Sequence, residues 1–363
     1  MYRIKQQPQD FIVEEICKLP EGEREGEDKE IRGKYSYFLL SKQGHSTHHA
    51  LKLIGSRLGI LPKQIGYAGL KDRNAETTQL ISIRNAGRER TENLNLNKIT
   101  LKLIGKGSTP VTLGCLEGNR FIITIRNLTG SDTESLCKNI SQLKANEFLI
   151  PNYFGEQRFG TSNHAVGKAI LTGDFGNAAR LITENGNNTI EAYLSEHKND
   201  HVGSLKTIPR KLALLYIHSY QALVFNKTAA SLIKSEYGKC REIPYSEGIM
   251  AFPDSLPENE KEALPEMLPI TGFSTDLSSY NEEIRSTVSA MLERDGITLR
   301  NFVIRSIPEL SCEGGERELF MHIKDFSHAL HDDELNPGMQ KCILKFALPK
   351  GSYATVLIKF LLG

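Results

Sequence analysis

Strand patterns at both ends of the chain, with a long helical pattern between them, constrain the fold most. YRIKQQPQDFIVEEI carries β-branched and aromatic residues bounded by Pro8 and by the acidic, glycine-bearing run from Glu21, the pattern of a strand followed by an exposed loop. YSYFLLSK at 35–42 predicts a second strand. THHALKLIGSRLGI predicts a helix, with Leu51, Ile54 and Leu58 at 3.6-residue spacing and Ser46 or Thr47 as its cap. QLISIRN at 79–85 and FIITIRN at 121–127 alternate as strands do when one side is buried and the other wet. From about residue 161 to 235 the pattern is helical, through AVGKAILTG, FGNAARLITENG and RKLALLYIHSYQALVFNKTAASLIKSE. Prolines 244, 253, 257, 265 and 269 then cluster among acids and predict a loop-rich or linker-like segment. QKCILKFALPKGSYATVLIKFLLG predicts a strand, a Pro-Gly turn and a short terminal helix. Strands at both ends with helices between them point to an α+β sheet domain carrying an insertion, not to two domains in series.

The 363 residues leave room for two domains. No stretch approaches the roughly 18 consecutive apolar residues of a membrane span, and MYRIKQQPQD has no apolar h-region of a signal peptide. A cytoplasmic protein without a membrane partner is expected. The six cysteines, 17, 115, 137, 240, 312 and 342, form no CxxC pair and no zinc-ribbon spacing, so free thiols are expected. Forty-five Lys plus Arg against 44 Asp plus Glu argues at first against a polyanion partner, but the sum hides an uneven distribution. Residues 50–130 hold 13 bases against five acids, whereas residues 241–294 hold 11 acids against four bases. A basic stretch of this kind is the footprint of a nucleic-acid surface.

The phosphate loop GxxxxGK[ST], the GxSxG elbow, HExxH and GxGxxG are all absent, so the chemistries they carry lose support. HALHDDE at 328–334 sets two histidines three residues apart beside three carboxylates, a spacing that could hold a metal on one helix turn but that reads more readily as a solvated loop. GYAGLKDRNAETTQ at 66–79 is more informative: Lys71, Asp72 and Arg73 sit where a strand gives way to a loop. A carboxylate between two cations is kept in its ionised, nucleophilic form; the plainer reading is a turn cap with solvated neighbours.

This motif resembles the signature of the TruD family of tRNA pseudouridine synthases. Lys5 with PQDFIVEE (8–15), LGCLEGNRF (113–121), PNYFGEQRFG (151–160), SYQALVFN (219–226) and FALPKGSYAT (346–355) resemble further family motifs in the family's order, across nearly the whole chain. The resemblance implies isomerisation of uridine to pseudouridine in tRNA, most readily at uridine 13 of the D arm, although some members act at uridine 35 or on other RNAs. It implies no cofactor and no metal. It makes Asp72 the catalytic carboxylate, adding to the sugar or taking a sugar proton, with Lys5 as its basic partner. Phe11, Asn119 and Tyr353 match positions that line the target-uridine pocket, Phe121 is an aromatic close by, and Lys71 and Arg73 are counted with them as substrate-binding. An extruded base stacks on aromatic faces and is read by an amide. The implied architecture is a mixed or antiparallel sheet core, residues 1–148 and 307–363, holding a mostly helical α+β insertion domain at 149–306, with tRNA in the cleft. A monomer is expected, although no motif speaks to it. Where the family continues to an Arg-Glu pair after GSYAT, this chain has Lys359 and Phe360, which puts the C-terminal packing in question. EGEREGEDKE at 21–30 is expected to be a flexible loop. Two rival readings are a non-catalytic tRNA-binding protein or RNA chaperone using the basic 50–130 region, and a glycosidase pairing Asp72 with Glu15 or Glu76.

Overall fold

The computed structural model of the protein describes residues 2–19, 33–86, 91, 94–256 and 266–363. The acidic run at 21–30 lies outside them. The chain forms two compact units, Met1–Lys138 with His322–Gly351, and Asn139–Met321 with Ser352–Gly363. These divisions stand at 138/139 and 321/322, where the resemblance implied 148/149 and 306/307, and the last twelve residues group with the second unit.

Seven strands of the first unit come from its N-terminal part: β1 (Arg3–Ile4), β2 (Phe11–Cys17), β3 (Tyr35–Gln43), β4 (Ile65–Tyr67), β5 (Glu76–Arg84), β6 (Ile99–Gly107) and β7 (Leu116–Leu128). The second unit adds β8 (Leu149–Pro151), β9 (Cys240–Tyr245), β10 (Gly248–Pro253), β11 (Met267–Ile270) and β12 (Gly315–Glu318). After β13 (Phe320–His322) the chain returns with β14 (Lys324–Asp332) and β15 (Gln340–Pro349). One nine-stranded sheet runs β14-β15-β7-β2-β5-β3-β6, with β1 on β7 and β4 on β5. β2 and β5 are parallel and their neighbours antiparallel, so the sheet is mixed. Strands from both ends of the chain thus meet in one sheet, as the order of patterns required.

Helix α1 (Thr47–Leu58) covers one face of this sheet. Ser46, not Thr47, is its cap, accepting the His49 amide hydrogen bond at 3.3 Å, and Gly59 ends it at φ 68°. Ala50, Leu51, Ile54 and Leu58 pack on Phe38, Leu40, Ile81 and Ile83, and each of the leucine, isoleucine and phenylalanine side chains contributes about 1.5–3 kcal/mol of burial.

FIITIRN departs from its expected wet side, because Thr124 and Arg126 are buried as well as the apolar residues. Arg126 can be buried because Asp10 and Asp333 each meet its guanidinium at 2.8 Å and Glu334 at 3.1 Å. HALHDDE is likewise corrected: it is strand β14 running into a turn, not a solvated loop. Strand alternation sends His328 and His331 to opposite faces, and Asp333 belongs to the Arg126 cluster. Among the described residues no group of three or more His, Cys, Asp or Glu could hold a metal ion. No helix of the described residues is long and apolar enough to cross a membrane. All six cysteines are free thiols.

The second unit is built on a long helix. Its helices follow α2 (Gly130–Ala145): α3 (Asn163–Leu171), α4 (Phe175–Glu184), α5 (Asn188–Glu196), α6 (His201–Lys206), α7 (Arg210–Tyr237), α8 (Glu282–Arg294) and α9 (Ala354–Leu362). α7 is buried over most of its circumference, which is why its apolar residues show no single stripe. Gly167 lets α3 meet it: a Cβ there would stand 2.1 Å from the Tyr216 carbonyl oxygen. In its described part the proline-rich segment is not a linker. Pro244, Pro253 and Pro269 lie in β9, β10 and β11, which form two-stranded ribbons, where every strand has an open edge and a missing N–H costs little. Residues 257–265 lie outside the described ones. The Lys359 and Phe360 departure is accommodated within this unit. Lys359 pairs with Glu156 at 3.1 Å, and Phe360 is buried against Phe252 at 5.3 Å between ring centroids, with the Arg241 guanidinium 4.8 Å from its ring.

Candidate active site

Strands β4 and β5 form a hairpin, Ile65 opposite Ile83 and Tyr67 opposite Ile81, and its loop, residues 68–75, carries Lys71, Asp72 and Arg73. Gly66 is required where the hairpin closes, since a Cβ would lie 2.6 Å from the Val111 carbonyl oxygen. Three buried polar side chains then hold the loop backbone. Gln79 Nε2 donates to Gly69 O at 3.1 Å, the Lys71 amide donates to Thr47 Oγ1 at 2.9 Å, and Lys42 Nζ donates to Asp72 O at 3.0 Å. Thr47 also donates to Gln79 Oε1 at 2.9 Å, which joins two of the three. Lys42 Nζ reaches His45 O at 2.7 Å as well. Burial pushes this ammonium down to about 8, against the pull of Asp72, and Lys71 adds to the fall.

Asp72 is itself half exposed, 49% of its side chain being open, and its Oδ2 takes a 2.9 Å ion pair from Lys5 Nζ. Lys5 directly follows β1, whose pairing with β7 (Ile4 opposite Ile125) sets its position. It has φ 60°, a left-handed conformation uncommon outside glycine. Its Nζ also lies 4.1 Å from the ring centroid of Phe11, a cation–π contact that steadies the ammonium. Phe11 meets Phe121 edge-on at 6.2 Å, and Phe121 stacks on Phe346 at 5.3 Å. Both predicted aromatics are therefore buried rings beneath Lys5.

The neighbours of Asp72 turn elsewhere, so the expected carboxylate between two cations is replaced by a single partner from a distant strand. Lys71 Nζ pairs with Glu15 at 2.8 Å and donates to Asn119 Oδ1 at 2.9 Å, while Arg73 Nε donates to Gly44 O at 3.2 Å. Glu15 and Asn119 face each other across β2 and β7, which makes this bridge possible. An ammonium has only donors, so the contact fixes which end of the Asn119 amide points to Lys71 and leaves its NH₂ group for another acceptor. The Glu15 side chain is 1% exposed and committed to Lys71 and to the Leu80 amide, 3.1 Å away, so it is no free second acid for a glycosidase. Tyr353, at the start of α9, belongs to the second unit, where its ring lies 6.0 Å from Phe154.

The motif reading did not name Lys42, took Thr47 only as a possible helix cap, and gave Gln79, the last residue of the motif, no role. Lys42 had a signal: it continues the inward positions of Phe38 and Leu40 along β3, and a cation in that register needs acceptors.

The sequence matches the family "tRNA pseudouridine synthase D (TruD)" over residues 2–191 and 254–360. The chain belongs to the TruD family. Its relatives include the "Probable tRNA pseudouridine synthase D" of Methanosarcina mazei, 32% identical over 98% of this chain and 92% of that one. The tRNA pseudouridine synthase D of Aquifex aeolicus is 28% identical over 98% and 97%. A Methanosarcina mazei crystal structure, provisionally named tRNA pseudouridine synthase D (TruD), superposes with a TM-score of 0.69 at 27% identity, over 99% of this chain and 93% of that one. The α+β fold is therefore a TruD fold.

Proposed function

We propose that this TruD-family chain isomerises uridine to pseudouridine in tRNA, at position 13 of the D arm, with Asp72 as the group that acts on the sugar. The observation that carries the reading is a half-exposed carboxylate held at one oxygen by Lys5, in a loop whose backbone is tied down by three buried side chains. In the reaction the N1–C1′ bond breaks, the uracil turns, and C5 bonds to C1′. The C5 hydrogen leaves as a proton and N1 regains one, so composition is unchanged and no redox partner enters. Whether the carboxylate adds to the sugar or removes a sugar proton, it must be anionic and close, and Oδ1 is the oxygen not engaged by Lys5. The Asn119 NH₂ group suits a uracil carbonyl, and Lys71 fixes its orientation. Phe11 and Phe121 shape the floor beneath Lys5, Arg73 offers an exposed cation to the RNA backbone, and Tyr353 keeps the uridine-lining role that the resemblance gives it.

The reading is tested by incubating the protein with an unmodified tRNA transcript and mapping pseudouridine. One modified nucleotide at position 13 is expected, and none when that uridine is replaced by cytidine. Pseudouridine confined to another position overturns the site assignment; tRNA bound without any modification favours the non-catalytic reading.

A second expectation concerns Lys42. Lys42→Met removes the ammonium that holds the Asp72 and His45 carbonyls but keeps the length of the side chain. kcat should fall about 10–100-fold with KM nearly unchanged, the scale of a misplaced reacting group. Because burial sets this ammonium at about 8, wild-type kcat should decline as pH rises through that value while the variant shows no such step. A pH profile of both proteins reads this directly.

A further inference from the structure

Within the second unit a cavity of about 370 Å³ opens beside α7. Arg210, Leu214 and His218 line it at i, i+4 and i+8, one stripe of the helix. Arg158, from the PNYFGEQRFG motif, and Glu313 complete the charged part of its wall. Arg210 spends its Nε on the Glu309 carbonyl at 3.0 Å, which leaves its two terminal nitrogens. Arg158 Nε is buried and has no acceptor among the described residues, and its guanidinium lies 5.5 Å from the Phe154 ring centroid. A buried guanidinium N–H without an acceptor is costly, and neither arginine has an ion-pair partner among the described residues. His218 is held towards its neutral form by burial and by Arg158. Two arginines against the single carboxylate of Glu313 leave the wall positive.

We infer that this cavity is a phosphate-binding site of the second unit, with Arg158 and Arg210 as its two forks. A guanidinium presents parallel donors that match two phosphate oxygens, and the missing acceptor at Arg158 is supplied by such an oxygen. The volume stands at the low end of ligand cavities, roughly 300–1,000 Å³, which suits one nucleotide and not a duplex. The phosphate belongs either to a tRNA backbone or to a free nucleotide. The inference does not depend on Asp72.

Its test is binding of tRNA and of uridine 5′-monophosphate to the wild type, Arg158→Gln/Arg210→Gln and Arg210→Gln alone, with Arg180→Gln as a control of equal charge change on α4. Thermal melting checks that each variant is folded; Arg210 is exposed, so its single variant keeps the test alive if the double variant is not. If the phosphate is the RNA's, tRNA affinity falls tenfold or more in the double variant and the slope of log K against log salt drops by about one per lost contact. kcat at saturating tRNA stays unchanged. If it is a free nucleotide's, uridine 5′-monophosphate binding is lost and tRNA binding is not. If wild type binds the nucleotide through these arginines but not tRNA, the site stands and the tRNA reading falls. Variants that match the Arg180→Gln control in both arms overturn the inference.

Discussion

Asp72→Asn is expected to lower the rate of pseudouridine formation by about a thousandfold or more, the scale set by losing a nucleophile or a proton-transfer group. Asparagine has the same shape and can still accept from Lys5 at one atom, so the loop anchored by Lys42, Thr47 and Gln79 has no reason to move. The affinity for tRNA should therefore stay within about twofold, and the loss should appear in kcat. Lys5→Met separates the pair from the other side. The carboxylate stays but loses the contact that orients it, and a smaller fall in kcat is expected than for Asp72→Asn. Single-turnover assays with enzyme in excess read the chemical step; equal losses in kcat and in tRNA affinity would instead mark Asp72 as a binding residue.

The largest effect on stability is expected at Arg126. Its guanidinium is the counter-charge for Asp10 and Asp333, whose side chains are 1% and 0% exposed. Asp10 also accepts the Gln7 amide at 3.0 Å, so the cluster ties the segment carrying Lys5 to the sheet. Arg126→Leu leaves two buried carboxylates without their counter-charge and should cost about 3–5 kcal/mol, a fall in Tm of roughly 10 °C for a domain of this size. The pH dependence has a definite sign. Burial alone would raise the Asp333 carboxyl, but the Asn127 amide, Asn336, the Leu335 amide and Arg126 outweigh it and hold it at about 2. A carboxyl depressed on folding stabilises above its unfolded value of about 4 and stops doing so as pH falls through its folded value. The stability gap between wild type and Arg126→Leu should therefore be widest near neutrality and narrow from about pH 4 to pH 2. Denaturant melts across that range measure it, and a gap that does not change with pH contradicts the account.

Much of this was legible because it is local. Two-residue and 3.6-residue spacings mark β3, β5, β7, β15, α1 and α9, and one contiguous motif carries Lys71, Asp72 and Arg73. What escaped depends on residues far apart in sequence. Arg126 looked like a solvated charge on a strand because Asp10 and Asp333 lie 116 and 207 residues away. The prolines suggested a linker because composition does not say whether a strand has an open edge. Lys5 as the partner of Asp72 came only through resemblance, since 67 residues separate them and Lys71 and Arg73 are nearer in sequence. The loop anchors Thr47 and Gln79 were hidden for a related reason: threonine and glutamine are ordinary in helix starts and strands, and only burial makes their hydrogen bonds obligatory.

The central claim is that Asp72 drives the exchange of N1 for C5 at C1′ of a uridine in tRNA. Because C5 loses its hydrogen in that exchange, the most direct measurement is tritium release from tRNA labelled with [5-³H]uridine, followed in a single turnover with wild type and Asp72→Asn. One tritium per tRNA released by wild type, no free uracil, and no release by the variant on the same time scale is the result predicted. Release by Asp72→Asn at the wild-type rate, or free uracil in place of pseudouridine, would contradict it.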